Sequence, residues 1–282
     1  MESQRKHARS FSFEFFPPRD EAGRTKLRET VAQLRQLRPR FFSCTFGAGG
    51  STREGTYDTV KELQDQGLKA APHLTCIGTS REFIRELLQA YAALGIDRLV
   101  ALRGDLPSGL PNTGGDFRYA TELVEFVRSE TGDRFAIEVA AYPEFHPEAA
   151  SAEDDLEHFA SKVRAGADSA LTQYFYNADA YFRFVDECES RGIDIPIVPG
   201  IMPITNYKQL ARFSDRCGAE IPRWIRKRLE SYGDDLESVR AFGLDVTTEL
   251  CDRLLRAGAP GLHFYTLNRA GPSCIVWERL GL

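Results

Sequence analysis

Eight short runs rich in Phe, Val, Ile and Thr alternate with helix-period segments along the whole chain, and this alternation constrains the fold more than any other feature. The strand-like runs are Ser10–Phe16, Phe41–Thr45, Ala70–Cys76, Arg98–Leu102, Phe135–Ala141, Ser169–Phe175, Ile195–Ile201 and Gly261–Leu267. Between them the spacing predicts helices over Gly23–Leu37, Thr52–Gln66, Ser80–Leu94, Tyr119–Ser129, Ala152–Ala165, Ala178–Arg191 and Asn206–Arg216. Pro222–Ala257 reads as two further helices, and Pro272–Leu280 follows the eighth run. Strands that alternate with helices must pair in parallel, and eight such units suit a closed barrel of roughly 250 residues. The expected fold is therefore α/β, a (β/α)8 TIM barrel with extra helices before and after strand eight. An open doubly wound sheet is the rival, but its glycine-rich turn after the first strand is replaced here by Pro17-Pro18-Arg19.

The 282 residues contain no low-complexity linker, and the polar stretch Pro107–Asp116 reads as a loop, so a single domain over 1–282 is expected. Residues 1–9 are basic and read as a flexible end. They lead into no long apolar segment, and no run approaches the ~18 residues of a membrane span, so a cytoplasmic protein is expected. With 36 Lys+Arg against 41 Asp+Glu the formal charge is −5, which argues against a nucleic-acid binder. The basic segment Arg223–Leu229 reads as a solvated helix face, diluted by Asp234-Asp235. Cys44, Cys76, Cys188, Cys217, Cys251 and Cys274 are dispersed, without C-x-x-C, and read as reduced. The histidines form neither H-x-H nor H-E-x-x-H, which disfavours a metal site.

A barrel of this kind carries its chemistry at the C-terminal ends of its strands. Along strand one, Phe11, Phe13 and Phe15 share a face, and Ser10, Ser12 and Glu14 share the other. The Phe face suits the layer beneath the helices, which turns Glu14 into the barrel near its mouth. Loss of solvation there raises a carboxyl pKa and readies it as a general acid; a structural ion pair is the plainer alternative. Thr45 ends strand two, His73 and Thr75 lie in strand three, and Arg103 and Asp105 follow Leu99 and Ala101 in alternation. Glu138 and Tyr142 belong to strand five, Gln173 to strand six, and Asn268 and Arg269 follow strand eight. Polar groups are thus expected at one end of the barrel, with apolar or featureless residues at the other. The turn Gly47–Thr52 lacks the lysine of a P-loop and reads as a plain βα turn. No strand end supplies a Schiff-base lysine, since Lys69 precedes strand three.

Seven ordered blocks resemble the methylenetetrahydrofolate reductase family from about Phe11 to the C-terminus. They are Phe13–Pro18, Ala71–Cys76, Ala101–Pro107, Ala141–Glu148, Thr172-Gln173, Pro199–Ile201 and His263–Arg269. The resemblance implies a barrel that binds FAD non-covalently and passes hydride from NADH or NADPH through the flavin to 5,10-methylenetetrahydrofolate. The product, 5-methyltetrahydrofolate, would serve methionine synthesis. Glu14 would be the general acid that opens the methylene bridge, and Asp105 would lie between the flavin and the pterin. Gln173, Gln209 and Arg269 would contact the folate, and Phe213 would stack on the folate or nicotinamide ring in turn. Thr45, Phe46, Ala48, His73, Arg103, Gly104, Asp105, Tyr119, Ala120, Tyr142, His146, Ala149, Asp155, His158 and Lys162 would line the FAD. His158, Ser161 and Phe46 stand where relatives more often carry Asn, a basic residue and Tyr. A homodimer or homotetramer without nucleic-acid or membrane partners is implied, as is insensitivity to S-adenosylmethionine. The competing readings are another FAD-dependent barrel oxidoreductase of the proline dehydrogenase kind and a barrel that binds ligand without catalysis.

Overall fold

A computed structural model of the protein describes residues 1–46, 51–104 and 115–282. Eight parallel strands close in sequence order: β1 (Ser10–Phe15), β2 (Phe41–Cys44), β3 (Ala70–Thr75), β4 (Arg98–Leu102), β5 (Ala136–Ala141), β6 (Ser169–Tyr174), β7 (Ile197–Ile201) and β8 (Gly261–Tyr265). β8 returns to β1 with Ser12 opposite His263 and Glu14 opposite Tyr265, which completes the expected barrel. Around it lie α2 (Glu21–Leu34), α3 (Ser51–Asp65), α4 (Arg81–Ala93), α5 (Ala120–Thr131), α6 (Ala152–Arg164), α7 (Ala178–Ser190) and α8 (Tyr207–Cys217), preceded by a short α1 (Glu2–Arg5). The extra helices are α9 (Arg223–Tyr232) and α10 (Leu236–Ala257) before β8, and α11 (Gly271–Arg279) after it.

Local chemistry sets the helix starts. Asp20 accepts a hydrogen bond from the Gly23 backbone at 2.7 Å and so starts α2 two residues earlier than periodicity implies. Ser80, Ser151, Asn206 and Asp235 cap α4, α6, α8 and α10 in the same way. The helices cover the outward faces of the strands. Phe13, Phe15, Phe42 and Phe264 are at most 1% exposed and stack there, with ring centroids 5.4 Å apart for Phe13–Phe264 and for Phe15–Phe42. Truncating one such ring to Ala costs about 3–5 kcal/mol. The alternation read for β1 therefore holds.

Two expectations are corrected. Residues 1–9, expected to be flexible, are docked on the chain. Gln4 is fully buried, and its amide donates to Ile195 O at 3.1 Å and accepts from Ile197 N at 2.7 Å. It thus completes the strand edge where Pro196 has no N–H to offer, and β7 begins at Ile197 rather than Ile195. Nor is the lower end of the barrel featureless. Glu138 sits there, not at the mouth, and its carboxylate pairs with Arg98 and accepts from Ser169 Oγ at 2.5 Å. Arg98 also lies over the Phe41 ring, 5.0 Å from its centroid. Above this floor Phe41, Ala71, Val100, Leu171 and Val198 fill the interior with a small apolar plug. The parity of β4 follows: Val100 and Leu102 pack with this plug, whereas Leu99 and Ala101 join the outer layer.

Candidate functional site

At the mouth the interior-facing positions change from apolar to polar. Glu14, with 17% of its side chain exposed, brings Oε2 to 3.4 Å from His73 Nε2 and 3.5 Å from His263 Nε2. The other ring nitrogen of His263 lies 2.7 Å from Ser12 Oγ. Burial pushes the His73 imidazole down to about 4, so it is neutral at physiological pH. His73 Nε2 and Ser43 Oγ are buried without a hydrogen-bond partner among the described residues. A carboxylate faced by two imidazoles at the mouth of the barrel is the kind of group that exchanges a proton with a bound substrate. Tyr265 completes the wall, edge-on to His263 with centroids 5.2 Å apart.

A second cluster spans the loops after β4 and β5, the start of α5 and the length of α6. Tyr142 and His146 meet edge to face with centroids 4.7 Å apart. His146 Nδ1 accepts from Glu148 N at 3.1 Å, and Asp155 Oδ2 accepts from His146 N at 3.0 Å. Burial and then the Arg103 charge lower the His146 pKa, whereas burial raises that of Asp155. Arg103 pairs with Glu148, and the Ala149 N–H is bound to His146 O. Lys162 donates from Nζ to Ala140 O at 2.6 Å, and burial lowers its pKa to about 8. At the outer edge Tyr119, 51% exposed, stacks on His158 with centroids 5.9 Å apart, just before Ala120 opens α5. Gly104 has φ of +87°, and a Cβ there would come within 3.0 Å of Thr75. The missing side chain makes room for Thr75, and the left-handed backbone suits glycine.

The whole chain matches one family. Residues 1–281 correspond to the family described as methylenetetrahydrofolate reductase. The chain belongs to it. A 5,10-methylenetetrahydrofolate reductase of Escherichia coli strain K12 is 43% identical over 96% of this chain and 90% of its own length. The corresponding protein of Pectobacterium carotovorum shows the same identity and coverage. Methylenetetrahydrofolate reductase (NADH) 1 of Arabidopsis thaliana is 40% identical over 97% of this chain, which spans 48% of that relative. An uncharacterized Clostridium thermocellum protein, solved with two copies of 5-methyl-5,6,7,8-tetrahydrofolic acid bound, has a TM-score of 0.70 at 15% identity, covering 99% of this chain and 96% of that one. That last likeness is one of fold.

The residues carried over from the reductase family fall into both clusters. Glu14 and His73 meet in the barrel cup, and Arg103, Tyr119, Tyr142, His146, Ala149, Asp155, His158 and Lys162 form the outer band. Tyr142 and Gln173 line one hollow with Tyr174 and Cys217, the latter at the end of α8. Gln209 and Phe213 lie on α8, Phe213 packed against the core and Gln209 with its backbone N–H held by the Asn206 cap. Thr45 is tied through its backbone to Phe15 and to the Thr56 hydroxyl, and Phe46 follows it, partly exposed. Asp105 and Ala48 lie outside the described residues. Arg269 is exposed beyond two left-handed residues, Leu267 (φ 50°) and Asn268 (φ 56°). Asn268 holds that turn: its amide accepts from Phe16 N at 3.0 Å and donates to Phe16 O at 2.9 Å. From sequence, Ser12 and Asn268 read as an inward-facing and a strand-end polar residue without a role in the site, and His263 and Tyr265 only as part of a family block. Parity along β8 could have found two of them, since Gly261, His263 and Tyr265 alternate inward as Ser10, Ser12 and Glu14 do.

Proposed function

We propose that this protein reduces 5,10-methylenetetrahydrofolate to 5-methyltetrahydrofolate with NADH or NADPH through a non-covalently bound FAD. The observation that carries the proposal is the Glu14 carboxylate in the cup, 3.4 and 3.5 Å from two imidazoles, in a chain of this family. Beside it, His73 Nε2 and Ser43 Oγ, without a hydrogen-bond partner among the described residues, are what a ligand-facing cup contains.

The outer band suits the flavin nucleotide. Lys162 is half-buried with no ion pair among the described residues, which suits a diphosphate, and the Tyr119–His158 stack offers a face to a planar ring. When bound, the flavin supplies two-electron hydride chemistry, accepting from the nicotinamide and donating to the folate. Glu14 holds the proton for the folate nitrogen that leaves as the methylene bridge opens, because an amine leaves poorly unprotonated. Neutral His73 keeps positive charge away from the cationic carbon that results, and the barrel wall excludes bulk water. The negative charge of Asp105, assigned by its place in the family motif, favours that same cation. Gln173, Gln209 and Arg269 would orient the folate, with Phe213 as the stacking face.

The discriminating experiment measures the two half-reactions of Glu14→Gln in a stopped-flow instrument. Reduction of the flavin by NAD(P)H needs no proton on folate and is expected near the wild-type rate. Reoxidation by methylenetetrahydrofolate is expected to slow by at least about a hundredfold. If both rates fall together, or neither does, Glu14 is not the acid. Purified protein that is colourless and cannot take up FAD would remove the flavin reading altogether, while reduced flavin indifferent to folate would favour a different flavin barrel oxidoreductase.

A further inference from the structure

Strand β6 carries an irregularity whose partners lead back to the mouth. It pairs with β7 at Ala170–Ile197 and Leu171–Val198, and again at Tyr174–Gly200. Three steps along β6 therefore match two along β7, so one extra residue is accommodated around Thr172-Gln173. Such a bulge releases backbone groups from the ladder and re-aims a side chain.

Side chains take up the released groups. Tyr265 on β8 donates its phenol to Thr172 O at 2.7 Å, and the Gly200 N–H donates to Thr172 Oγ1 at 2.9 Å. The Tyr174 N–H donates to the side-chain Oε1 of Gln173 at 3.0 Å. Tyr265 reaches Thr172 across β7 only because Gly200 has no side chain. A Cβ there would lie 2.1 Å from Thr172 O and 2.6 Å from the Tyr265 ring. Burial holds the Tyr265 phenol protonated far above the usual range, so it remains a donor at any working pH.

The bond from Tyr174 also settles the orientation of the Gln173 amide. Only the oxygen can accept from a backbone N–H, so the amide nitrogen with its two donors is the end left for the hollow that Gln173 lines. We propose that Tyr265, Thr172 and Gly200 are positioning residues for the substrate, holding the β6 bulge so that Gln173 meets the folate as a hydrogen-bond donor. This rests on reading Gln173 as a folate contact.

The test is steady-state kinetics of the FAD-loaded enzyme with methylenetetrahydrofolate as the varied substrate. Tyr265→Phe and Thr172→Val are each expected to raise the folate KM about tenfold, with kcat within about twofold, the scale of one well-placed hydrogen bond. Thr172→Ser keeps the hydroxyl and is expected to restore the wild-type KM, a rescue that loss of packing alone does not produce. Gln173→Ala should raise KM as far, and adding Tyr265→Phe to it should raise KM little more. Gln173→Glu still accepts from the Tyr174 N–H but presents no donor, so it should match the alanine variant. A wild-type KM in Gln173→Ala means the folate contact beneath the proposal is wrong. A raised KM there with normal values in Tyr265→Phe and Thr172→Val overturns the positioning claim alone. A near-normal Gln173→Glu overturns the donor assignment, and a fall in kcat at unchanged KM in Tyr265→Phe assigns Tyr265 to Glu14 instead.

Discussion

The floor and the mouth of the barrel use the same kinds of residue and treat them in opposite ways. At the floor Glu138, 2% exposed, has both oxygens engaged, one with the Arg98 guanidinium and one with the Ser169 hydroxyl. At the mouth Glu14 lies at the limit of contact with two imidazoles, and beside it His73 Nε2 and Ser43 Oγ have no hydrogen bond among the described residues. A buried charge whose partners are complete does structural work, because it has nothing left to offer a ligand. A polar cup with open valences costs stability, which is the expected condition of a site that acts on something it binds. Satisfaction, rather than burial, separates the two carboxylates.

The sharpest way to break this comparison is Glu138→Ala, which strands a buried guanidinium. It is expected to cost about 3–5 kcal/mol in urea unfolding, while the folded fraction keeps its kcat. Replacing both partners, with Arg98→Met and Glu138→Leu, should recover most of that loss; a large loss of turnover at unchanged stability would move Glu138 into the active site.

An acid titration probes the mouth. His73 titrates at about 4 when folded against an ordinary value of 6.5, so the unfolded chain takes up its proton first as pH falls. The destabilisation from this group begins near pH 6.5, grows by up to about 1.4 kcal/mol per pH unit, and is complete below about 4. His73→Gln should therefore show a shallower fall in unfolding free energy across this window than the parent. Parallel curves would mean that His73 is not held neutral by burial.

The smallest effect concerns the outer band. Lys162, lowered to about 8 by burial, loses its charge as pH rises past that value, so affinity for an anionic nucleotide should weaken there. Lys162→Met is expected to bind FAD about tenfold more weakly at pH 7, with a flat response up to pH 9, as followed by quenching of flavin fluorescence. An unaltered pH profile in the variant would place the diphosphate elsewhere.

How legible these regions were depended on the range of the interactions. Period-two alternation along Ser10–Phe15 correctly turned Glu14 inward, because facing is a local property of a strand. The same reasoning assigned Glu138 to the mouth, because alternation tells inside from outside but not height along the barrel axis. Height follows from register and shear between strands, and here Glu138 stands opposite Ser169 at the start of β6. His263 escaped notice for a related reason. Its significance lies in Ser12 and Glu14, some 250 positions away, and no local pattern joins them.

The sequence by itself determined the order of strands and helices, the parallel closed sheet, the apolar Phe face of β1 and the family blocks from Phe13–Pro18 to His263–Arg269. These depend on periodicity and neighbouring residues, which a linear reading contains. Only the tertiary structure decided which polar side chains are satisfied and which stay open. It alone showed that Gln4 completes the edge of β7, and that a missing side chain at Gly200 lets Tyr265 reach the β6 bulge. Those outcomes rest on distances of a few ångströms between residues far apart in the chain, and barrel closure sets them all at once.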